Sequence, residues 1–350
     1  MKDIAREAEV ALVTVSRALN GEPEVSAETR EKVLAVARRL DYRPNRHARM
    51  LKLGSSRAIA LMIKGVGNPF FQMMVDVIEQ RARQSEHLLT VAKVPHWADE
   101  VDEAAKLVDE DLMAGIIFLG GRFAHEEDVF DRIRVPFVLS TVRHLEHVPE
   151  QAYSSVSVDD RLESGRAAEA LVALGHRRIA VLGVMPGDQS IGAPRVQGCM
   201  QALARAGVPV DPTLVLAEDL DSSSPFSTPF SMEYGYRLTA RLLRERHDVT
   251  AIFAVADIMA LGAMRAIREA GLRVPEDISV MGFDGLPFGD YMHPPLSTMR
   301  QPAVDLASAT CDLLLERMRG GAPRHVDLPA ELLLRGTTGP VRDSTRKAAR

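Results

Sequence analysis

The sequence predicts an α/β protein: an N-terminal three-helix headpiece with a helix-turn-helix at its front, a hinge, and two doubly wound parallel-sheet lobes. Three observations carry this. Residues 2–40 show helical apolar spacing interrupted only briefly. From Ala58 onward, short apolar runs alternate with amphipathic helical stretches, as in a parallel sheet covered on both faces. Charge is split: residues 1–60 hold 12 Lys/Arg against 8 Asp/Glu, and the rest hold 31 against 40, for a net charge of −5. A basic front on an acidic body suggests an anionic partner for the front alone, a solvated charged surface being the rival reading.

In residues 2–8, Ile4, Ala5 and Ala8 face one way; in 11–20, Val15, Ala18 and Leu19 do. Only Glu9–Val10 separates the two segments. Ser26 is placed to cap a third helix whose inner side is Val33, Val36, Ala37 and Leu40, stopping before Tyr42-Arg43-Pro44. These helices define a headpiece over residues 1–44. Residues 45–57 (NRHARMLKLGSSR) carry too little apolar surface to fold alone and read as a hinge that orders only when held.

Seven apolar runs follow, at 58–63, 87–92, 115–120, 136–140, 178–183, 250–255 and 278–283, with helical patterns at 159–174, 195–207, 231–246, 257–270 and 303–319. Seven strands in about 280 residues exceed one small sheet, so two lobes with a ligand cleft between them are expected over 58–338. Residues 339–350 lack periodicity and are expected to be disordered.

Composition narrows the function classes. Cys199 and Cys311 are the only cysteines, too few for a disulfide framework or metal set, and read as small buried hydrophobes. The apolar runs are too short for a bilayer and the N-terminus lacks an apolar signal core, so a cytoplasmic protein without membrane contact is expected. No dinucleotide, P-loop or nucleophile-elbow motif occurs, and the ten histidines lack metal-ligand spacing. His176 in GHRR reads as a satisfied turn residue. No enzyme, cofactor or metal is expected.

On a helical wheel, residues 11–20 turn Leu12, Val13, Ser16 and Arg17 outward near the N-terminal half. The second helix of a helix-turn-helix enters the major groove by that end. Apolar tips there can touch thymine methyls, arginine can pair with guanine, and hydroxyls can bond phosphate or base. The alternative is a bundle whose outer apolars pack on a partner domain.

VTVSRALNG, followed by VSAETREKVLAVARRLDYRPNRHAR, resembles the headpiece of the lactose repressor/galactose repressor family of bacterial regulators. The likeness continues through NPFF (68–71), ALGHRRIAVLG (173–183), FAVADIMALGAMRAIREAGLRVPEDISVMGFD (253–284), HPPLSTMRQP (293–302) and LPAELLLRGTT (328–338). It implies a homodimer reading a palindromic operator, most simply as a repressor, and lobes of periplasmic-binding-protein type: an N-lobe of about 58–159 and 300–323, a C-lobe of about 160–299 and 324–338. It also implies a hinge helix that inserts Leu51 into a minor-groove step, with Asn45, Ala48 and Arg49 beside it; a wedge of this kind unstacks a step and bends the duplex. Thr14, Asn20 and Tyr42 in the matched stretch complete the expected DNA contacts. Departures touch the headpiece. Relatives usually have a few more residues before KDIAREA, Glu9 stands where a turn glycine is usual, and Ala11 replaces the usual serine cap.

The expected effector is a small molecule, a sugar or sugar derivative, in the cleft. The resemblance places the first-lobe aromatic contact at Phe70 or Phe71, although Phe71 could be core, and a stacking aromatic at Phe230. Arg195 and Asp284 match effector contacts, a fork of donors and a two-oxygen acceptor able to orient a polyol; an internal Arg–Asp pair is the alternative. Trp97 follows the second strand and either lines the cleft or anchors the core. Asp257 stands in Ala256-Asp257 where many relatives have Asn-Asp, and Gly285 replaces a second aspartate. A two-lobe binding protein without specific DNA recognition remains the rival function.

Overall fold

The computed structural model describes residues 2–20, 24–40, 58–65, 67–95, 97–110, 113–122, 124–126, 129–209, 211–218 and 230–341. The chain divides into two units, residues 1–56 and 57–350.

The first unit contains α1 (Lys2–Glu7), α2 (Leu12–Asn20) and α3 (Ala27–Arg39). Ile4, Ala8, Val15, Ala18, Val25, Val33, Val36 and Ala37 form its buried core. Each fully buried Val or Ile contributes about 1.5–3 kcal/mol, so so small a core leaves the unit marginal. Ser26 caps α3, its Oγ accepting from the Thr29 amide at 3.3 Å, and Arg39 pairs with Glu7 across to α1. Leu40 departs from expectation: it is the C-cap of α3, where the chain leaves the helix, and is 40% exposed. Glu9 has φ 53°, the left-handed conformation that suits glycine, and Ala11 accepts the first bond of α2 from Val15 without a capping side chain.

The second unit is built on two six-stranded sheets. The first orders its strands β11-β5-β4-β3-β1-β2, from β1 (Ala58–Lys64), β2 (Leu88–Val94), β3 (Met113–Leu119), β4 (Phe137–Ser140), β5 (Ser154–Ser157) and β11 (His325–Asp327). All its pairings are parallel. Alternation in β1 separates its two faces. Ile59, Leu61 and Ile63 join Phe70, Met74 and Ile78 of α4 (Pro69–Gln84) and Leu314 of α10 (Ala303–Met318). Ala60 and Met62 face Val101 and Ala104 of α5 (Glu100–Glu110). The second sheet repeats the order as β12-β10-β9-β8-β6-β7, from β6 (Ile179–Leu182), β7 (Val215–Leu216), β8 (Ala251–Ala254), β9 (Ser279–Asp284), β10 (Ser297–Arg300) and β12 (Glu331–Leu333). Only β12 runs antiparallel to its neighbour.

Helices α6 (Asp160–Ala173), α7 (Gly192–Arg205), α8 (Met232–Glu245) and α9 (Asp257–Glu269) belong to the second lobe. At Gly262 a Cβ would lie 2.0 Å from the Met232 carbonyl oxygen, so only glycine lets α9 approach α8 this closely. The seven apolar runs all become strands. The remaining five strands are short or polar: β5 is SSVS, β7 has two residues, and β11 and β12 are half-exposed edges.

The chain crosses between sheets at 158–159, 301–302 and 328–330. The last crossing falls later than the expected 324, because His325–Asp327 pairs with β5. It is pinned where Glu163 accepts from the Ala330 amide and Arg166 donates to the Ala330 carbonyl. The disordered tail expected over 339–350 is corrected at its start, where Gly339 bonds His176 and Ser279 and the Val341 amide donates to the Leu174 carbonyl, while 342–350 lie outside the described residues. His176 is satisfied, by Thr250 at 3.0 Å and Gly339 at 3.0 Å, and burial lowers its pKa. Both cysteines are buried helix residues.

The strained Glu9 turn and the uncapped α2 yield a prediction. Glu9→Gly and Ala11→Ser should each stabilise the first unit by about 1 kcal/mol, read as slower amide exchange across α2 and α3 in the full chain. Unchanged protection in both would refute this account of the turn.

Candidate functional site

Two surfaces were expected to carry function, one in each unit. On α2, Val15 and Ala18 are buried while Leu12 is 45% and Val13 60% exposed. Thr14 and Ser16 are half-buried beside them. Arg17 is exposed and forms an ion pair with Glu24 at 3.0 Å. A solvent-exposed pair of this kind contributes about 0–1 kcal/mol, little enough to be exchanged for a phosphate or base edge. Asn20 ends the helix; its side chain, and Tyr42, Asn45, Ala48, Arg49 and Leu51, lie outside the described residues.

In the second unit a cavity of about 860 Å³ lies between the lobes. Its position follows from strand order. In each sheet the first strand is flanked by the second and third (β2-β1-β3 and β7-β6-β8), so connections leave in opposite directions and open a crevice at the carboxyl ends. The walls come from those ends: Lys64, Gly65 and Asn68 after β1, Lys93, Pro95 and Trp97 after β2, Gly120–Arg122 after β3, and Thr141 after β4. Across from them stand Asp188–Ile191 after β6, Phe230–Met232 before α8, Ile258 after β8 and Gln301 in the middle crossing.

Most expected effector residues converge here. Phe70 and Phe71 line the cavity while packing into the core, which joins the two readings of Phe71. Asn68 caps α4 by accepting from the Phe70 amide at 3.0 Å, and Pro69 starts the helix. Trp97 lines the cavity and is 60% exposed, so it is no buried anchor. Phe230 lines the opposite wall.

Arg195 reaches the wall from α7 but is only 3% exposed. Its Nε donates to Asp160 at 2.7 Å; its Nη1 donates to the Val255 carbonyl at 2.8 Å and to Asp284 at 3.1 Å. None of these bonds uses Nη2. The guanidinium carbon sits 3.9 Å from the centre of the Phe283 ring. Burial opposes the charge, but Asp160 and Asp284 raise the arginine pKa. Burial lifts Asp160 to about 6 against the pull of Arg195. The internal Arg–Asp pair weighed above is therefore present.

Asp284 stands one layer behind the wall. Its Oδ1 accepts from Arg195 and from Gln301 at 2.8 Å, both of them wall residues. Its Oδ2 is buried without a hydrogen-bond partner, and its backbone has φ 129°, outside the ordinary range for a residue with a Cβ. Burial raises its pKa, while Arg195, Gln301 and Asn68 act to lower it. An unsatisfied acceptor and a strained backbone together mark a site held for a task.

Asp257 is corrected. It is wholly buried, does not line the cavity, and spends its oxygens on the Thr298 hydroxyl at 2.6 Å and the Leu286 amide at 2.7 Å. Gly282 admits it, since a Cβ there would lie 2.2 Å from Asp257 Oδ1. Asp257 braces the loop after β9. Burial and then Asp284 push its pKa up to about 7, with no cation bonded to it.

Sequence reasoning missed several wall residues. Lys64 is paired with buried Glu100 at 2.7 Å. Burial works to raise the Glu100 carboxyl, but His125, Lys64 and the Arg122 amide hold it at about 2. Lys93, Arg122 and Asp188 follow strand ends, so the carboxyl-end rule applied to every strand would have found them. Asp160 gave no signal, being 35 residues from its partner. Among the described residues, no helix is long and apolar enough to cross a membrane and no cluster of candidate metal ligands occurs.

Comparison with known proteins agrees with this geometry. Residues 1–45 match the family model described as bacterial regulatory proteins, lacI family, and residues 168–338 match that of a periplasmic binding protein-like domain. The chain is 34% identical to the HTH-type transcriptional regulator MalR of Clostridium butyricum, over 96% of this chain and 98% of the relative. It is 31% identical to the HTH-type transcriptional repressor CytR of Escherichia coli strain K12, over 97% and 96%. Among solved structures, the lac repressor dimer bound to operator and the anti-inducer ONPF aligns with a TM-score of 0.79 at 30% identity, covering 96% of this chain and 98% of that one. The transcriptional regulator CelR–cellobiose complex aligns at 0.69 with 30% identity, over 95% and 98%.

Two outcomes follow from the buried charges. Arg195→Met should destabilise the second unit by about 3–5 kcal/mol in urea unfolding, since it leaves two buried carboxylates unpaired; a loss near zero would contradict the network. Asp257 binds its proton more tightly folded than unfolded, so its contribution is present below about pH 4 and is lost as pH rises toward 7. Thermal midpoints of wild type should therefore fall relative to Asp257→Asn between about pH 4 and pH 7. Parallel profiles would exclude a raised pKa.

Proposed function

The chain belongs to the lacI family of bacterial regulatory proteins, and from that premise we propose that it is a homodimeric transcriptional repressor whose grip on a palindromic operator is set by a sugar-like effector in the cleft. One observation carries this reading: a single chain joins a three-helix unit with an outward mixed apolar–polar face on α2 to a two-lobe unit with a cavity at the strand carboxyl ends. A two-lobe binding protein alone has no use for the first of these.

In this reading Leu12, Val13, Ser16 and Arg17 meet base edges, with Thr14 and Asn20 on the flanking backbone. Tyr42, Asn45, Ala48 and Arg49 steady the hinge on phosphates, and Leu51 wedges into the minor groove. Phe70, Phe71, Trp97 and Phe230 supply apolar faces for the effector. Arg195 offers Nη2, while Asp284 acts through Arg195 and Gln301. Effector binding changes the angle between lobes about the three crossings. That alters the separation of the paired hinges and thus the fraction of dimers able to order them on DNA, a population shift. Cellobiose in the CelR complex supports a sugar-like ligand by analogy.

The test is a mobility-shift titration on promoter fragments. The full chain should prefer one fragment over random competitor, and a chain lacking residues 1–57 should lose that preference while still binding effector. Raising salt from about 50 to 200 mM should weaken operator binding by about 10³-fold, because basic groups release counterions. Leu51→Ala should weaken operator binding about tenfold or more and effector binding less than about twofold. Equal losses in both would remove the wedge; a salt-independent affinity would remove the DNA reading.

A further inference from the structure

We infer that the effector is acidic: a ring-shaped polyol bearing a carboxylate or phosphate, whose anion sits between Lys93 and Arg122 while its ring lies against Trp97. The inference rests on the reading of the cleft as the effector site and names the ligand's class.

Among the described residues, four cations line the cavity wall: Lys64, Lys93, Arg122 and Arg195. Two are already neutralised, Lys64 by Glu100 at 2.7 Å and Arg195 by Asp160 at 2.7 Å and Asp284 at 3.1 Å. Lys93 and Arg122 have no carboxylate partner among the described residues. The side chain of Arg122 makes one bond, from Nη2 to the Trp97 carbonyl at 3.4 Å. Lys93 is exposed at the carboxyl end of β2. The acids nearby are committed elsewhere. Glu100 takes Lys64 and the Arg122 amide, at 2.6 Å, and Asp99 caps α5 at the Val101 amide. Among the described residues Asp188 is the only carboxylate in the wall itself, and it lies in the other lobe with Oδ1 accepting from the Ser190 amide.

Lys93 and Trp97 stand at and just past the end of β2 and Arg122 just past β3, on either side of β1, so the three belong to the carboxyl end of one sheet. A low-dielectric cleft focuses the field of two uncompensated cations. A guanidinium fork with an ammonium suits a two- or three-oxygen anion, and a neutral polyol would leave both charges unanswered. The exposed indole of Trp97, whose backbone carbonyl accepts from Arg122, offers a flat face to a ring.

Trp97 is the only tryptophan in the chain, so its fluorescence reports on this wall. The full chain is titrated with galacturonate, glucose 6-phosphate, galactose, glucose and cellobiose, with calorimetry on the same samples in case the indole is silent. At least one acid should bind about tenfold or more tighter than its neutral counterpart, and the binding should weaken with added salt. Which acid responds separates a carboxylate effector from a phosphate one. Lys93→Met and Arg122→Met keep the aliphatic stems and the Arg122 amide, so the fold is retained; each should weaken acid binding about tenfold while moving neutral-sugar binding less than about twofold. A neutral sugar that binds as tightly as the acids, or variants that keep the wild-type affinity for acid, would overturn the inference and leave the sugar cleft standing. No response to any of the five would overturn both.

Discussion

Arg195 carries a full charge at 3% exposure, and the C-lobe half of the cleft is organised around that fact. A buried guanidinium is tolerable only if its donors are answered, and here the answers come from α6 through Asp160, the end of β8 through Val255, and the end of β9 through Asp284. Gln301 extends the network into the middle crossing by bonding the same carboxylate, and its amide also holds the Asp284 carbonyl at 3.1 Å. The polar floor of the cleft and one of the three strands of chain joining the lobes are therefore mechanically linked. Whatever changes hydrogen bonding at Arg195 or Gln301 acts on the segment about which the lobes would turn.

Asp160 and Asp284 both bond Arg195 in that network, while Asp257 nearby is held by the Thr298 hydroxyl and the Leu286 amide. Burial raises the carboxyl pKa of each of the three, against the pull of Arg195 on Asp160 and Asp284 and of the Thr298 hydroxyl and Leu286 amide on Asp257. The opposite wall is built the other way. Glu100 is held ionised by Lys64 and His125, and the surplus there is positive, at Lys93 and Arg122. The cleft thus has a proton-sensitive acidic floor in one lobe and an open basic rim in the other. A ligand spanning both experiences two different kinds of polar contact.

The first unit works at the other extreme of stability. Its core among the described residues is eight side chains, its α1–α2 turn is strained at Glu9, and α2 begins without a side-chain cap. For a DNA-binding headpiece this is no defect, since binding to a duplex adds stability by mass action and lets a marginal unit respond to whether that duplex is engaged.

The sequence by itself determined the local elements and their class. Apolar spacing of 3.6 and continuous apolar runs placed the helices and the seven principal strands, because burial of one face leaves a periodic trace in the chain. The family resemblance pointed to Phe70, Phe71, Arg195 and Phe230, and Trp97 was placed by its position after the second strand; the structure brings all five to one cleft. Polar partnership was not legible to the same degree. Nothing within a few residues of Asp257 shows that it turns inward to Thr298 and Leu286, or that Arg195 is shared between Asp160 and Asp284, 35 and 89 residues away. Strands β5, β7, β10, β11 and β12 were missed for a related reason: they are short or polar, and are strands only because a neighbour offers its backbone. Hydrophobic periodicity is a property of a segment, whereas the satisfaction of a buried charge or an edge backbone depends on what folding brings beside it, and only the tertiary structure decides that.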